Sequence, residues 1–270
     1  MAKWIFVSVP CLTCLSFLAA GAWPRPVRNS PLAAADPFLA QPLPLDQIAG
    51  GGDRDGAQVL QRVRATLRDV RWLSVTIWQR LHDGNNSFES TAKLILGPDQ
   101  CARMETTLQV RGVSCRQLLV SDGRAFAEVE RWPGESEKIS GGCLPGMETG
   151  TAREQFLRRR GCTGPLPLVS ELQTSVRQWQ VLTGMWQQRP VLRLQGTLEP
   201  GGANGAQPAA RCCRLYVDAA SLLPLRLEWY KHADPQRSPL FLEMEYRDLE
   251  LNRPLSAQEC ARAFTFQAEK

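Results

Sequence analysis

Histidine is scarce in this sequence, which has only two, His82 and His232, among 270 residues. A zinc site needs clustered ligands, and a hydrolase triad needs a positioned histidine. His82 precedes Asp83-Gly84 and His232 precedes a loop that ends in Pro235, so we expect both imidazoles to lie in solvated turns. The sequence therefore predicts neither a metal site nor a catalytic triad.

Other catalytic signatures are also missing. No nucleophile elbow and no phosphate-binding glycine loop occurs. Glu243 and Glu245 form a carboxylate pair, but they alternate with apolar residues along one strand, where the polar face is usually solvated. We expect a protein without enzymatic activity or a cofactor. The alternative is an enzyme of the cell envelope whose catalytic cluster forms only in three dimensions.

Long apolar runs are confined to one place, the uncharged stretch from Trp4 to Ala20. Lys3 precedes this stretch, and it ends in Ala20-Gly21-Ala22, which is the layout of a secretory signal cleaved after Ala22. The run is shorter than the ~20 residues that span a bilayer. We predict a signal peptide at residues 1–22 and an exported protein of the periplasm or cell envelope. An uncleaved membrane anchor is the alternative.

The net charge is modest, +5 at pH 7, and the basic residues are dispersed. The densest basic run is Arg158-Arg159-Arg160, at the end of a predicted helix. We expect this run to be a solvated helix face, with an anionic partner such as a lipid headgroup as the alternative. The charge pattern does not predict nucleic-acid binding.

Residues 23–56 contain six prolines and the triplet Gly50-Gly51-Gly52. Such a segment forms neither a helix nor a strand ladder, so we predict a tether.

Residues 57–270 suit one domain. An amphipathic helix is predicted at its start from five apolar positions spaced by about 3.6 residues: Val59, Leu60, Val63, Leu67 and Val70.

After this helix the apolar period changes to two, which predicts a hairpin and then further strands. The fold class is α+β, with one large antiparallel sheet that must curve strongly to enclose its apolar face. The predicted strands begin at Leu73 and continue at Phe88–Leu96, Cys101–Val110, Gln117–Ser121, Arg124–Glu130, Gln178–Thr183, Val191–Leu198, Arg211–Val217, Leu225–Tyr230, Leu240–Arg247 and Ala263–Gln267. Short helices are predicted at Ala152–Arg160 and Leu168–Ser175, and residues 132–151 are interpreted as irregular.

The order of several short motifs is informative: Ile77-Trp78-Gln79, Pro98 closing a strand, Arg103-Met104-Glu105, Ser121-Asp122-Gly123 and Phe264-Thr265-Phe266. This order resembles the LolA-like family, the periplasmic lipoprotein carriers and their RseB-like relatives. The resemblance implies an incomplete β-barrel lined with apolar side chains and covered by a few helices. Such a shape holds acyl chains, so residues 57–270 are interpreted as a LolA-like lipid-binding domain.

The resemblance also implies a cavity beneath the first helix. We expect Ile77, Trp78, Leu94 and Leu96 to line it, with core packing as the alternative for the tryptophan. Arg103 is expected to have a polar role near the cavity, or else to be a surface arginine paired with Glu105. Carriers of the family have an arginine directly before the strand-closing proline, where this chain has glycine, so lipoprotein transfer itself is not implied.

Seven cysteines follow the predicted signal, and in an exported protein they favour disulfides. Because the number is odd, at least one thiol is left over. Cys143 with Cys162 is the leading pair, since it would staple an irregular segment, and Cys101 with Cys115 is a second candidate across neighbouring strands. Cys212 and Cys213 point to opposite faces of one strand, so no bond between them is expected.

These observations predict a monomeric, exported protein that binds or carries a hydrophobic ligand, namely the acyl chains of a lipid or lipoprotein. The first alternative is an envelope sensor or scaffold of the same fold that binds a protein partner. It predicts a stable complex and no co-purifying lipid.

Overall fold

The structure is a computed structural model that describes residues 56–68, 70–83, 86–110, 112–143, 164–198, 212–235 and 238–266. The predicted signal peptide, residues 23–55 of the tether, the predicted helix Ala152–Arg160 and Cys162 lie outside these ranges. Within them, no helix is long and apolar enough to cross a membrane.

One antiparallel sheet of eleven strands dominates the described chain, in the order β6-β5-β4-β3-β2-β1-β11-β10-β9-β8-β7. Its strands are β1 Leu73–Asp83, β2 Asn86–Leu96, β3 Cys101–Val110, β4 Val113–Asp122, β5 Ala125–Arg131, β6 Lys138–Cys143, β7 Val176–Trp186, β8 Arg189–Leu198, β9 Cys212–Asp218, β10 Pro224–Tyr230 and β11 Leu240–Leu251. Two meanders meet where β1 pairs with β11. In the described part, β6 and β7 are the edges and do not pair with each other, so the curved sheet is an incomplete β-barrel.

Three helices accompany the sheet: α1 Gly56–Arg68, α2 Pro165–Ser175 and α3 Ala257–Phe264. The apolar stripe of α1 is buried, as its 3.6-residue period predicts. Each of its four larger buried side chains contributes about 1.5–3 kcal/mol by leaving water. We call the sheet face that packs against α1 and α2 the inner face, and the opposite face the outer face.

The inner face carries the main hydrophobic core. Alternate residues of β1, namely Leu73, Val75 and Ile77, join the buried residues of α1 and α2 in one cluster that extends to Leu227 in β10. Because side chains alternate across a strand, the residues between them point to the outer face. The sequence prediction of an α+β fold with a large curved antiparallel sheet is therefore confirmed.

Helix α3 corrects one prediction, because Ala263–Gln267 was expected to be a strand and the helix runs through Phe264. Ser256 starts the helix with a capping box: its Oγ accepts a hydrogen bond from the Glu259 amide, and its own amide donates to Glu259 Oε2 over 2.8 Å. The helix that this cap starts includes the first two residues of the predicted strand, Ala263 and Phe264.

Strand β6 was missed, because residues 132–151 were interpreted as irregular from their glycine and proline content. Gly141 and Gly142 lie inside this strand. A Cβ on Gly141 would lie 2.7 Å from the carbonyl oxygen of Phe126 in β5, so the close approach of the two strands requires glycine there. The glycine that argued against a strand is thus part of its pairing.

Candidate ligand-binding face

Three of the five predicted ligand residues come together on the inner face. Ile77 and Leu94 are 3% and 0% exposed, and both belong to the cluster beneath α1 and α2. Leu96 is partly buried against the same cluster and pairs in register with Leu73. Ile77 and Leu94 are almost completely covered by other side chains of this cluster, so a ligand reaches them only when those side chains move.

Trp78 lies on the outer face, which corrects its placement in the same cavity. It follows Ile77 directly in β1, and adjacent residues of a strand point to opposite faces. Its Nε1 donates a hydrogen bond to Glu89 Oε1 over 2.9 Å. The guanidinium carbons of Arg80 and Arg247 lie 4.9 and 5.3 Å from the centre of its ring. Trp78 is therefore enclosed by charged side chains and takes no part in an inner-face cavity.

Arg103 also lies on the outer face, in register with Ile95 and Val120. Its Nε donates to Glu105 Oε1 over 2.8 Å, and its Nη1 donates to the Ala263 carbonyl over 3.5 Å. This is the alternative foreseen from the sequence, a surface arginine paired with Glu105. The arginine joins β3 to the C-terminal end of α3.

Four polar atoms on the inner face are buried and have no hydrogen-bond partner among the described residues: Gln79 Oε1, Thr106 Oγ1, Trp229 Nε1 and Tyr246 OH. Leaving such an atom unpaired costs about 1–3 kcal/mol. Sequence reasoning missed all four as site residues, although Gln79 continues the inward positions of β1 and could have been noticed. Buried polar groups without a partner are uncommon in a protein interior.

The sheet register places these groups within reach of one elongated molecule. Tyr246 pairs with Ile77, Ile77 with Ala92, and Ala92 with Thr106, so Tyr246 and Thr106 lie on one row of the sheet. They are three strand spacings apart, about 14 Å. Gln79 lies on the next inward row, two residues beyond Ile77.

The inner face offers neutral hydrogen-bond chemistry. Burial raises the pKa of Tyr246, so its hydroxyl stays protonated and can donate a hydrogen bond. Thr106 and Trp229 supply two more donors, and Gln79 supplies an acceptor. Among the described residues, the buried charged side chains are instead on the outer face: Arg193, Arg214, Glu228, Glu243 and Glu245. The arrangement suits uncharged ester, amide or hydroxyl groups.

The carboxylates of Glu243 and Glu245 are buried, which corrects the expectation that they are solvated. Their side chains are 10% and 8% exposed. Arg226 reaches both, with Nη2 2.9 Å from Glu243 Oε2 and Nη1 2.7 Å from Glu245 Oε1, while its Nε contacts Glu228. Polar residues at outward positions were predicted correctly, but their mutual pairing removes them from water.

His82 also differs from its prediction, because it lies in β1 rather than in a solvated turn. Its Nε2 is 3.7 Å from Glu243 Oε1. The pKa of Glu243 is held below its ordinary value: burial acts to raise it, but His82, Arg226 and Arg80 outweigh burial. His232 is exposed in the loop after β10, as expected.

The cysteine predictions have mixed outcomes. Cys101 pairs with Asp122, whereas Cys115 pairs with Leu108, so the two cysteines lie about 23 Å apart along the hairpin and the proposed bond is wrong. Cys212 and Cys213 are both buried on opposite faces of β9, and no disulfide joins the described cysteines. Cys143 ends β6, but Cys162 lies outside the described residues, so that pair stays a prediction.

Gly97, which stands where the family carriers have an arginine, is packed beneath α3. A Cβ at this position would lie 3.0 Å from Phe264 Cζ and 3.2 Å from Trp72 Cζ3. The two rings contact each other at a tilt of 36°, with a centroid distance of 6.3 Å. The C-terminal helix therefore fills the space that a longer side chain at residue 97 would need.

No family model matches the chain, and no curated protein matches it. Among solved structures, it is similar to LprF from Mycobacterium bovis, with 12% identity, a TM-score of 0.44, and coverage of 76% of this chain and 97% of that one. It is similar to MucB at 18% identity and a TM-score of 0.41, covering 82% of this chain and 66% of MucB. A LolA superfamily protein from Nitrosomonas europaea has 13% identity, a TM-score of 0.30, and coverage of 79% and 98%. Each of these is a similarity of fold.

Proposed function

We propose that this protein is an exported binding or carrier protein for acyl-chain lipids, which it holds on the inner face beneath α1 and α2. The observation that carries the proposal is the set of four unpartnered polar atoms on an otherwise apolar face. A core gains nothing from them, since apolar residues of the same shape would be neutral or stabilising. A ligand that combines hydrocarbon with neutral polar groups would satisfy both parts of the face.

The energetics allow an acyl chain to replace a helix on this face. About ten methylenes, at about 0.8 kcal/mol each, match the transfer free energy of the four larger apolar side chains that α1 buries. Helix α1 packs chiefly against α2 and against β7, an edge strand of the described sheet. The two helices can therefore move as a lid while the sheet stays paired.

The polar groups define which lipids are favoured. Ester and amide carbonyls accept hydrogen bonds, and Thr106, Trp229 and Tyr246 are the available donors. Gln79 Oε1 would accept from a hydroxyl or amide N–H. Among the described residues, the inner cluster offers no buried counter-ion to a carboxylate or phosphate, so a charged headgroup would stay at the solvent side.

Titration of the purified protein with a fluorescent fatty acid, followed by competition with phospholipid, tests the proposal. We expect saturable binding that Ile77→Glu abolishes, because the new carboxylate would be buried beside Leu94. Thr76→Glu is the matched control, since the neighbouring side chain points to the outer face. Circular dichroism must show that each variant is folded. Equal binding by both variants, or no binding by the folded wild type, would contradict the proposal.

A further inference from the structure

The outer face carries a groove of about 510 Å³ between the end of α3 and the β5–β6 hairpin. Phe266 and Thr265 line one side, and Ile139 lines the other. The floor includes Leu118 and Val129, which pair in register on neighbouring strands. The groove lies on the opposite face of the sheet from the proposed lipid site, so the inference drawn from it is independent of the proposed function.

Ile139 supplies exposed apolar surface to this groove. Ile139 is 57% exposed, although it is a large aliphatic residue in a strand. It pairs with Val129, so its side chain continues the apolar floor toward the edge of the sheet. In the described chain, β6 pairs only with β5, which leaves its other side as a sheet edge. Sheet edges and apolar pockets together are typical of sites that bind extended peptides.

Four arginines line the groove, against two glutamates: Arg103, Arg116, Arg131, Arg262, Glu105 and Glu137. Arg103 is paired with Glu105, and Arg131 Nη2 lies 3.4 Å from Glu137 Oε1. This pairing leaves two arginine charges in excess.

One of these two charges, Arg116, faces another arginine on the neighbouring strand. Arg116 in β4 is directly in register with Arg131 in β5, and the two side chains share the outer face. Like charges opposite each other on neighbouring strands destabilise a sheet. Arg262, near the C-terminus of α3, adds a third positive charge to the same lining. An anionic group bound between these side chains would relieve their repulsion.

We propose that this groove binds an acidic segment of a partner protein, in extended conformation, with carboxylates at Arg116 and Arg262 and an apolar side chain on the floor. A flat anionic membrane surface fits less well, because the site is a recess whose rim also carries Glu105 and Glu137. The apolar floor has no counterpart in a lipid headgroup. A peptide that alternates acidic and apolar residues places one kind of side chain on each part of the groove.

Fluorescence anisotropy of the full protein with three labelled hexapeptides tests this assignment: alternating glutamate and leucine, alternating lysine and leucine, and alternating serine and leucine. We expect binding of the first alone, and weaker binding as salt is raised. The double variant Arg116→Glu with Arg262→Glu should weaken it by about tenfold or more. Arg189→Glu, an exposed charge reversal in β8, is the control and should leave the affinity unchanged.

Two results would overturn the proposal. One is equal affinity of the protein for the glutamate and serine peptides, or equal affinity of the wild type and the double variant for the glutamate peptide. The comparison of variants requires that their unfolding midpoints are unchanged. The other is failure to bind the glutamate peptide while vesicles of phosphatidylglycerol bind through the same arginines, which would assign the groove to a membrane surface. Lipid retention on the inner face, measured on the same preparations, reports separately on the proposed function.

Discussion

Arg226 Nη1 donates a hydrogen bond of 2.7 Å to Glu245 Oε1 on the outer face of the sheet, between β10 and β11. The same guanidinium contacts Glu228 and Glu243, so one arginine joins carboxylates from two strands. All four side chains are largely buried. A buried charge that loses its partner is far more costly than an exposed one. The outer face of the central strands therefore depends on this residue.

We predict that Arg226→Leu destabilises the protein by about 3–5 kcal/mol, because three carboxylates lose their shared counter-ion. Urea unfolding followed by tryptophan fluorescence measures the loss. The control is Arg253→Leu, which removes an exposed pair with Glu250 and should cost less than about 1 kcal/mol. Equal losses in the two variants would show that the buried network contributes no more than a surface ion pair.

Stability should fall in acid. The pKa of Glu243 lies below its ordinary value of 4.5, and the pKa of Glu89 is lowered by hydrogen bonds from Trp78 and Arg80. A carboxyl whose folded pKa is depressed stabilises the protein fully above its unfolded pKa and loses that contribution as pH falls through the folded value. We expect constant urea midpoints from neutral pH to about 5 and a decline below 4.5. Glu243→Gln should flatten the decline, and an unchanged profile in that variant would contradict the assignment.

Replacing Gly97 should disturb the C-terminal helix. Gly97→Arg would push a side chain into Phe264 and Trp72, which already leave little space for a Cβ. We predict a loss of about 2–4 kcal/mol, of the size seen for overpacked or broken cores, and a shift of tryptophan emission. Phe264→Ala in the same background should recover part of the loss. If Gly97→Arg is as stable as the wild type, α3 does not pack as described.

The thiols should differ in reactivity. Burial raises the pKa of Cys212 to about 11, and it raises the pKa of Cys213 as well. Because the thiolate is the reactive form, neither should react with iodoacetamide at pH 8 in the folded protein, whereas the partly exposed Cys260 should. Mass spectrometry of tryptic peptides after timed alkylation reports each site. The same peptide map, recorded without reduction, decides whether Cys143 and Cys162 are bonded. Faster labelling of Cys213 than of Cys260 would contradict the burial of Cys213.

Tyr246→Phe separates ligand recognition from folding. Removal of an unpartnered hydroxyl should leave the free energy of unfolding unchanged or slightly higher. If the hydroxyl donates to a lipid ester, affinity should fall by roughly threefold to tenfold, the worth of one hydrogen bond. Isothermal titration with an ester-linked lipid and with a hydrocarbon of the same chain length, which has no hydrogen-bond acceptor, tests this. Only the ester ligand should lose affinity, and identical affinities in both proteins would remove the tyrosine from the site.

Much of the fold was predictable because its strands alternate cleanly. The apolar alternation of residues 73–77 predicts both the strand β1 and the side chains of β1 that face the core. The buried stripe of α1 follows from its 3.6-residue period. Errors occurred where a local signal competed with packing. Gly141 was interpreted as a sign of irregular structure, although the close approach of the Phe126 backbone requires glycine there. The end of α3 was predicted to be a strand because the capping box at Ser256 was overlooked.

The candidate site was less predictable than the fold. Ile77 and Leu94 followed from alternation, but placing Trp78 beside Ile77 ignored the same rule. The unpaired polar atoms of Thr106 and Tyr246 could not be foreseen, because pairing depends on what lies opposite in three dimensions. The burial of Glu243 likewise follows from neighbours on other strands, which no single strand pattern reveals.

The central claim is that the inner face holds an acyl-chain lipid, and mass spectrometry of solvent extracts from natively purified protein tests it most directly. We predict about one molecule of ester-linked lipid per chain, since the inner face offers one set of neutral hydrogen-bond groups. Ile77→Glu should purify without the lipid, and Thr76→Glu should retain it. Folded wild-type protein that carries no lipid, and that takes up none from vesicles, would contradict the account.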